Sequence, residues 1–242
     1  MRQYELTTFL PAIGSKTGLN SSVIPAPSQK LTYKQRFAVL KQEANLAAQN
    51  PPQYLTVLAG DSLSDWFPAE ILPPERTWLN QGIAGETSSG LLRRLHLFEQ
   101  TQPETIFVMI GINDLFQGVT DEKILENQRQ IVRYLRRVHP HSQIVVQAIL
   151  PYSGEGSNWG GDRLLTVSNV RIRQLNHQLK AIAQTAGVKY LDLHPLFTDA
   201  QGNLRPDLST DGLHLNHQGY LVWRSALEMY YSQLNLEPPT DN

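Results

Sequence analysis

Residues 54–65, Tyr54 to Asp65, read YLTVLAGDSLSD. An apolar run over 54–59 passes, with little polar alternation, into Gly60-Asp61-Ser62. A strand apolar on both faces is one covered on both faces. The Gly, the acidic residue and the Ser that follow place Ser62 at a tight strand-to-helix turn. Further apolar runs occupy 77–83, 105–110, 143–150 and 188–193, and several are rich in β-branched residues. The segments between them, 87–99, 121–138 and 164–186, with a last one from about 216 to 234, are predicted helices. Thr87 and Thr120 are candidate N-caps, and Gly187 closes its helix before the next strand. Strand and helix alternating with crossovers of this length predict an α/β domain, a parallel sheet with helices on both faces and right-handed connections. Ligands of such a sheet sit at the carboxyl ends of its strands.

Each of those ends carries something unusual. After the first strand, the Ser62 hydroxyl faces the crevice beside the first amides of the next helix, which favour developing negative charge. The ordinary reading of this serine is an N-cap. A phosphate-binding turn is opposed by Asp61 and Asp65 and by the lack of a following Lys. The second strand ends in Asn80-Gln81-Gly82-Ile83-Ala84-Gly85, where glycine lets a backbone N–H approach a ligand. The third ends in Gly111-Ile112-Asn113-Asp114, and the Asn113 amide offers two uncharged donors suited to an oxyanion. In the last loop Asp211 and His214 stand three apart, close enough for the carboxylate to fix the imidazole tautomer and leave the other nitrogen to accept a serine proton. His217 makes a rival pair with His214, but no third ligand stands at a matching spacing, so no metal is expected. Each signal alone has a bland reading as a turn or a cap. Together, on one sheet edge, they supply the separate parts of an acyl-transfer site.

These residues resemble a known family. Gly60-Asp61-Ser62-Leu63, Gly82, Gly111-x-Asn113-Asp114 and Asp211-x-x-His214, with Gly219-Tyr220 behind them, are similar in order and spacing to the four blocks of the SGNH hydrolases, the GDSL-type lipases and esterases. The resemblance covers about residues 54–232. It implies a three-layer α/β/α, flavodoxin-like fold with five parallel strands in the order 2-1-3-4-5 and no cofactor. It also implies Ser62 as nucleophile, His214 as general base and then acid, Asp211 as its orienter, and an oxyanion hole made of the Ser62 N–H, the Gly82 N–H and the Asn113 side-chain amide. The expected activity is a serine ester hydrolase acting on small or medium acyl groups through an acyl-serine intermediate. A non-catalytic carbohydrate- or lipid-binding domain on the same fold is the alternative, and it would expect a catalytic residue to be missing. Carbohydrate O-deacetylase, lysophospholipase, thioesterase and broad esterase are not separable by sequence.

Outward from these blocks the chain says less. Its 242 residues suit one α/β domain, large enough to bury roughly 70–75% of the surface its unfolded form exposes. Residues 1–30 lack periodicity, contain Ile24-Pro25-Ala26-Pro27, and read as an irregular arm. A helix over about 31–50 follows, with a narrow stripe of Tyr33, Phe37, Leu40, Ala44 and Ala47, and Pro51-Pro52 stops it. The expected division is therefore 1–50, an arm and helix packed on the main domain, and 51–242, the hydrolase-type domain. A net charge of −1 gives no reason to expect nucleic acid as a partner, and no run approaches the ~20 apolar residues of a membrane span. The absence of cysteine excludes disulfides, thiolate nucleophiles and Cys-ligated zinc. No apolar core of about 7–15 residues marks a secretory signal near Met1, so a cytoplasmic location is expected. The Gly-rich loop 151–162, with Tyr152 and Trp159, is either a rim of the site or a plain surface loop. Trp66 and Phe67 are expected to pack rather than to recognise the acyl group, and Asp192 and His194-Pro195 to form a turn. Arg133, Arg136 and Arg137 with His139 and His141 read as a solvated helix end that complements the dipole.

Overall fold

Alternate residues of the central strands leave in opposite directions, and this period of two creates the layers. The computed structural model describes residues 31–154 and 167–234; the arm over 1–30 and most of the loop over 151–162 lie outside them. Five strands, β1 (Leu55–Gly60), β2 (Thr77–Gly82), β3 (Thr105–Met109), β4 (Gln143–Gln147) and β5 (Lys189–Leu191), form a parallel sheet in the order β2-β1-β3-β4-β5, as expected. Leu58, Phe107 and Val145 point to one face, while Val57, Ile106 and Ile144 point to the other. Every residue of β1 and β3 is buried, whereas the edge strand β5 has no fully buried residue.

The helices in chain order are α1 (Tyr33–Gln49), α2 (Ser62–Asp65), α3 (Ser88–Arg94), α4 (Ile112–Phe116), α5 (Asp121–Val138), α6 (Asn169–Thr185), α7 (His194–Phe197) and α8 (His217–Leu234). On one face α8 packs Trp223, Leu227, Tyr230 and Tyr231 against Leu58 and Phe107. On the other, α3 and α5 supply Leu91, Ile131 and Leu135, and α6 supplies Ile172, Leu175 and Leu179. From Thr32 on, the described residues form one compact unit. Thr87 and Thr120 cap α3 and α5, their hydroxyls accepting from the N–H groups of Gly90 and Lys123. Helix α5 carries Asp121 and Glu122 in its first turn and Arg136 and Arg137 in its last, a pattern that opposes its dipole.

The differences from expectation are local. Strand β4 stops at Gln147 instead of residue 150, because its neighbour β5 is only three residues long. Ile149 beyond it is satisfied by the Asn176 side chain, which accepts from its N–H and donates to its C=O, both at 2.8 Å. The helix expected over 87–99 tightens after Arg94 into a 3₁₀ turn, Leu95–Phe98. The turn at His194-Pro195 is the single-turn helix α7. Arg133, Arg136 and Arg137 are exposed, but His139 is buried with its ring stacked on Phe98 at 5.8 Å, and burial lowers its pKa.

Candidate active site

The site lies at the carboxyl ends of β1, β2 and β3. Asp61 turns the chain after β1: its Oδ1 accepts the Leu63 N–H at 3.0 Å, which caps α2 and starts it at Ser62. The N–H of Ser62 itself has no hydrogen-bond partner among the described residues. Asp61 is 1% exposed, its Oδ2 has no partner among the described residues, and burial pushes its pKa up to about 7. Asp114 and Glu86 act in the same direction, against the Leu63 amide and Arg94.

Ser62 Oγ lies 3.1 Å from His214 Nε2, although 152 residues separate them in sequence. His214 Nδ1 lies 2.7 Å from Asp211 Oδ2, and Asp211 Oδ1 accepts the N–H groups of His214 and Leu213 at 2.8 and 3.0 Å. Burial acts to raise the Asp211 pKa, but the bonds from the His214 ring and the two amides outweigh it and hold the carboxyl below its ordinary value. An ionised carboxylate can only accept, so Nδ1 carries the proton of the neutral ring and Nε2 is left to accept from Ser62. The loop is held from behind: the His214 carbonyl accepts from the Thr210 N–H at 3.0 Å and the Ser209 hydroxyl at 2.8 Å. The imidazole thus has both nitrogens engaged by Ser62 and Asp211, while His217 is exposed at the start of α8. Among the described residues no group of three or more His, Cys, Asp or Glu could hold a metal.

Asn113 and Asp114 belong to α4, directly after β3, and they tie two loops together. Asn113 Nδ2 donates to the Glu86 carbonyl at 3.0 Å, which engages one of its two hydrogens. Asp114 accepts the Ser88 N–H and hydroxyl at 2.7 and 2.5 Å. Gly82 is tightly packed, since a Cβ there would run into the backbone N of Asp65. Its N–H is already donated to Asn80 Oδ1 at 2.9 Å, so this amide differs from the exposed donor expected at that position. The same Asn80 donates through Nδ2 to the Ser64 carbonyl, which fixes the end of β2 against α2. Three residues on, Gly85 is exposed with φ +79°, a conformation L side chains rarely adopt, and its N–H has no partner among the described residues. The signal for Gly85 was present in sequence as a second glycine in the same loop; nothing local distinguished the two.

Trp66 and Phe67 divide. Phe67 is buried in the core against Tyr220 and Trp223, as expected of a packing residue. Trp66 is 38% exposed, and its ring lies 4.3 Å from that of His214. A fully buried guanidinium, Arg94, braces the floor. It donates to Glu86 Oε2 at 2.9 Å, to the Gln81 carbonyl at 2.7 Å and to the Gly60 carbonyl at 2.9 Å.

A profile of the GDSL-like Lipase/Acylhydrolase family matches residues 56–222, most of the chain. The chain belongs to this family. Lipases and acylhydrolases are hydrolases, and solved relatives share the architecture. A GDSL-like lipase from Bacteroides thetaiotaomicron superposes with a TM-score of 0.68 at 16% identity, over 82% of this chain and 99% of that one. A Geobacillus acetyl-xylooligosaccharide esterase superposes at 0.58 with 20% identity, over 73% of this chain and 93% of that one. At these identities the likeness concerns the fold. The GDSL-like chain is also 24% identical over 155 residues to an N-acylneuraminate cytidylyltransferase of Streptococcus agalactiae. That match spans 64% of this chain but only 35% of the relative. Among the described residues no helix is long and apolar enough to cross a membrane.

Proposed function

We propose that this protein is a carboxylic ester hydrolase in which Ser62 is the nucleophile, His214 the general base and acid, and Asp211 its orienter. The observation that carries the reading is the hydrogen-bonded chain from Ser62 through His214 to Asp211, at 3.1 and 2.7 Å. Ser62 Oγ attacks the ester carbonyl and passes its proton to His214 Nε2, and the carbonyl π electrons move onto oxygen. His214 then protonates the departing alcohol, leaving an acyl-serine. Water deprotonated by the same nitrogen releases the acid and restores Ser62. The tetrahedral oxygen takes the N–H of Ser62 and the remaining hydrogen of Asn113 Nδ2. As third donor we favour the N–H of Gly85 over that of Gly82, because Gly82 is engaged by Asn80 and Gly85 adjoins the Glu86 carbonyl to which Asn113 is bound. Substrates with small or medium acyl groups are the expectation. The acetyl-ester-cleaving relative of the same fold is in keeping with the short end of that range.

The test is hydrolysis of p-nitrophenyl esters from acetate to decanoate by the unaltered protein and by Ser62→Ala. Activity lost in the variant supports the reading, and the preferred chain length separates a deacetylase-like pocket from a lipid-like one. No Ser62-dependent turnover, together with no labelling of Ser62 by a fluorophosphonate, would favour a binding domain on the same fold.

A further inference from the structure

Helix α1 lies before the stretch that the family profile matches, yet it touches the loop between β2 and α3 at several points. Arg36 Nε is shared between the Gly82 carbonyl at 3.1 Å and Asp65 Oδ1 at 2.8 Å, and its Nη2 reaches the Asn80 carbonyl at 3.4 Å. The other oxygen of Asp65 accepts the Ala84 N–H at 3.2 Å. One turn earlier on the helix, the Tyr33 hydroxyl donates to Glu86 Oε2 at 3.1 Å. Between these contacts, Ile83 is buried under Leu40 with Phe37 packed alongside. Further along, the Leu40 carbonyl accepts from Gln81 Nε2 at 3.3 Å. Residues 80–86 thus rest on α1 by backbone, by side-chain charge and by apolar contact.

We propose that α1 is part of the active-site scaffold and that Arg36 is a positioning residue, locking the Gly82–Glu86 loop to the turn that carries Ser62. The inference rests on the reading of Ser62 as nucleophile and of Gly85 as an oxyanion donor. Asp65 is the last residue of the single-turn helix that begins at Ser62, so the nucleophile and one end of this clamp share four residues of chain. Gly82 and Ala84, held at the other end, flank the approach to Gly85. The guanidinium therefore acts with the Asn80–Ser64 and Ala84–Asp65 bonds in setting the distance between the attacking oxygen and a donor of the oxyanion site. The planar fork of arginine presents its donors in a fixed geometry, whereas the three donors of an ammonium rotate on a flexible stem. Arg36 and Asp65 are 16% and 15% exposed, so solvent screens this pair only in part. Arg36 works beside the direct ties from Asn80 to Ser64 and from Ala84 to Asp65, so its removal loosens the two loops without separating them, and catalytic geometry tolerates little displacement.

Arg36→Ala is expected to lower kcat roughly 10- to 30-fold while KM stays within about 3-fold, because the loss falls on the transition state. A trifluoromethyl ketone supplies a readout that a purely structural helix would not move. Ser62 Oγ adds to its carbonyl carbon, the Ser62 proton passes to His214, and the new negative oxygen occupies the oxyanion site. Its affinity should weaken by the same factor as kcat/KM, measured well below the melting temperature of each variant. Arg36→Lys keeps a charge for Asp65 but loses the fork, and should be intermediate. Tyr33→Phe removes only the bond to Glu86, and should reduce kcat and inhibitor affinity together by roughly 3-fold, as for one weak hydrogen bond. A folded Arg36→Ala with unchanged kcat and inhibitor affinity overturns the proposal. If that variant does not fold, unchanged values in both Arg36→Lys and Tyr33→Phe overturn it. Absence of Ser62-dependent turnover in the unaltered protein would remove the underlying functional reading; turnover that depends on Ser62 and ignores α1 would remove this inference alone.

Discussion

Replacing Asp61 by Asn tests the electrostatics beneath the nucleophile. The carboxyl is fully buried, receives a single hydrogen bond among the described residues, from the Leu63 N–H, and has two further carboxylates, Asp114 and Glu86, acting on it. Burial lifts its pKa from an ordinary 3.8 to about 7, so between those values the folded protein holds a proton that the unfolded chain has released. A raised carboxyl contributes stability that is fully present below the unfolded value and is lost as pH rises through the folded one. The slope for one proton is about 1.4 kcal/mol per pH unit, and across the whole window the change approaches roughly 4 kcal/mol. Asparagine retains an oxygen for the Leu63 N–H and does not titrate. Urea unfolding of both proteins at half-unit steps from pH 4 to pH 8 isolates this group, since the other titrations are common to both. The stability of the unaltered protein relative to Asp61→Asn should fall steadily with pH and level off above about pH 7, leaving the variant more stable at pH 8. A difference that is flat, or that rises with pH, would show that the Asp61 carboxyl is charged and accommodated in the folded state.

Asn113→Ala should reduce kcat by about 10²–10³, equivalent to about 2.7–4 kcal/mol, with little change in KM. An unchanged kcat takes Asn113 out of the site. Asp211→Asn should cost more than that and less than Ser62→Ala, because an amide cannot hold Nδ1 protonated as the carboxylate does; steady-state kinetics near the wild-type rate would mean that something else orients His214. Arg94→Met leaves Glu86 buried without its cation and strips the Gly60 and Gln81 carbonyls of a donor, so a loss of about 3–5 kcal/mol is expected in denaturant unfolding. Adding Glu86→Gln to that variant should restore part of the loss, and no restoration would argue against an uncompensated charge as its cause.

The sequence by itself determined the layer order and the raw materials of the site. Both are local signals: the unbroken apolar runs of β1 and β3 report burial on two faces, and Gly60-Asp61-Ser62, Asn113-Asp114 and Asp211-x-x-His214 stand where strands or the last loop end. Pairing in space decided the rest. Gly82 and Gly85 look alike in sequence, and they differ because the side chain of Asn80 takes the Gly82 amide while a positive φ leaves that of Gly85 exposed. Trp66 and Phe67 are neighbours of similar polarity, yet the short turn of α2 sends one against His214 and the other into the core. The narrow apolar stripe of α1 predicted a docked helix but gave no hint that Arg36 would meet Asp65 and Gly82, which lie 29 and 46 positions further along the chain. Periodicity reports which face of an element is covered. Which polar group meets which depends on distances between elements that only the folded chain sets.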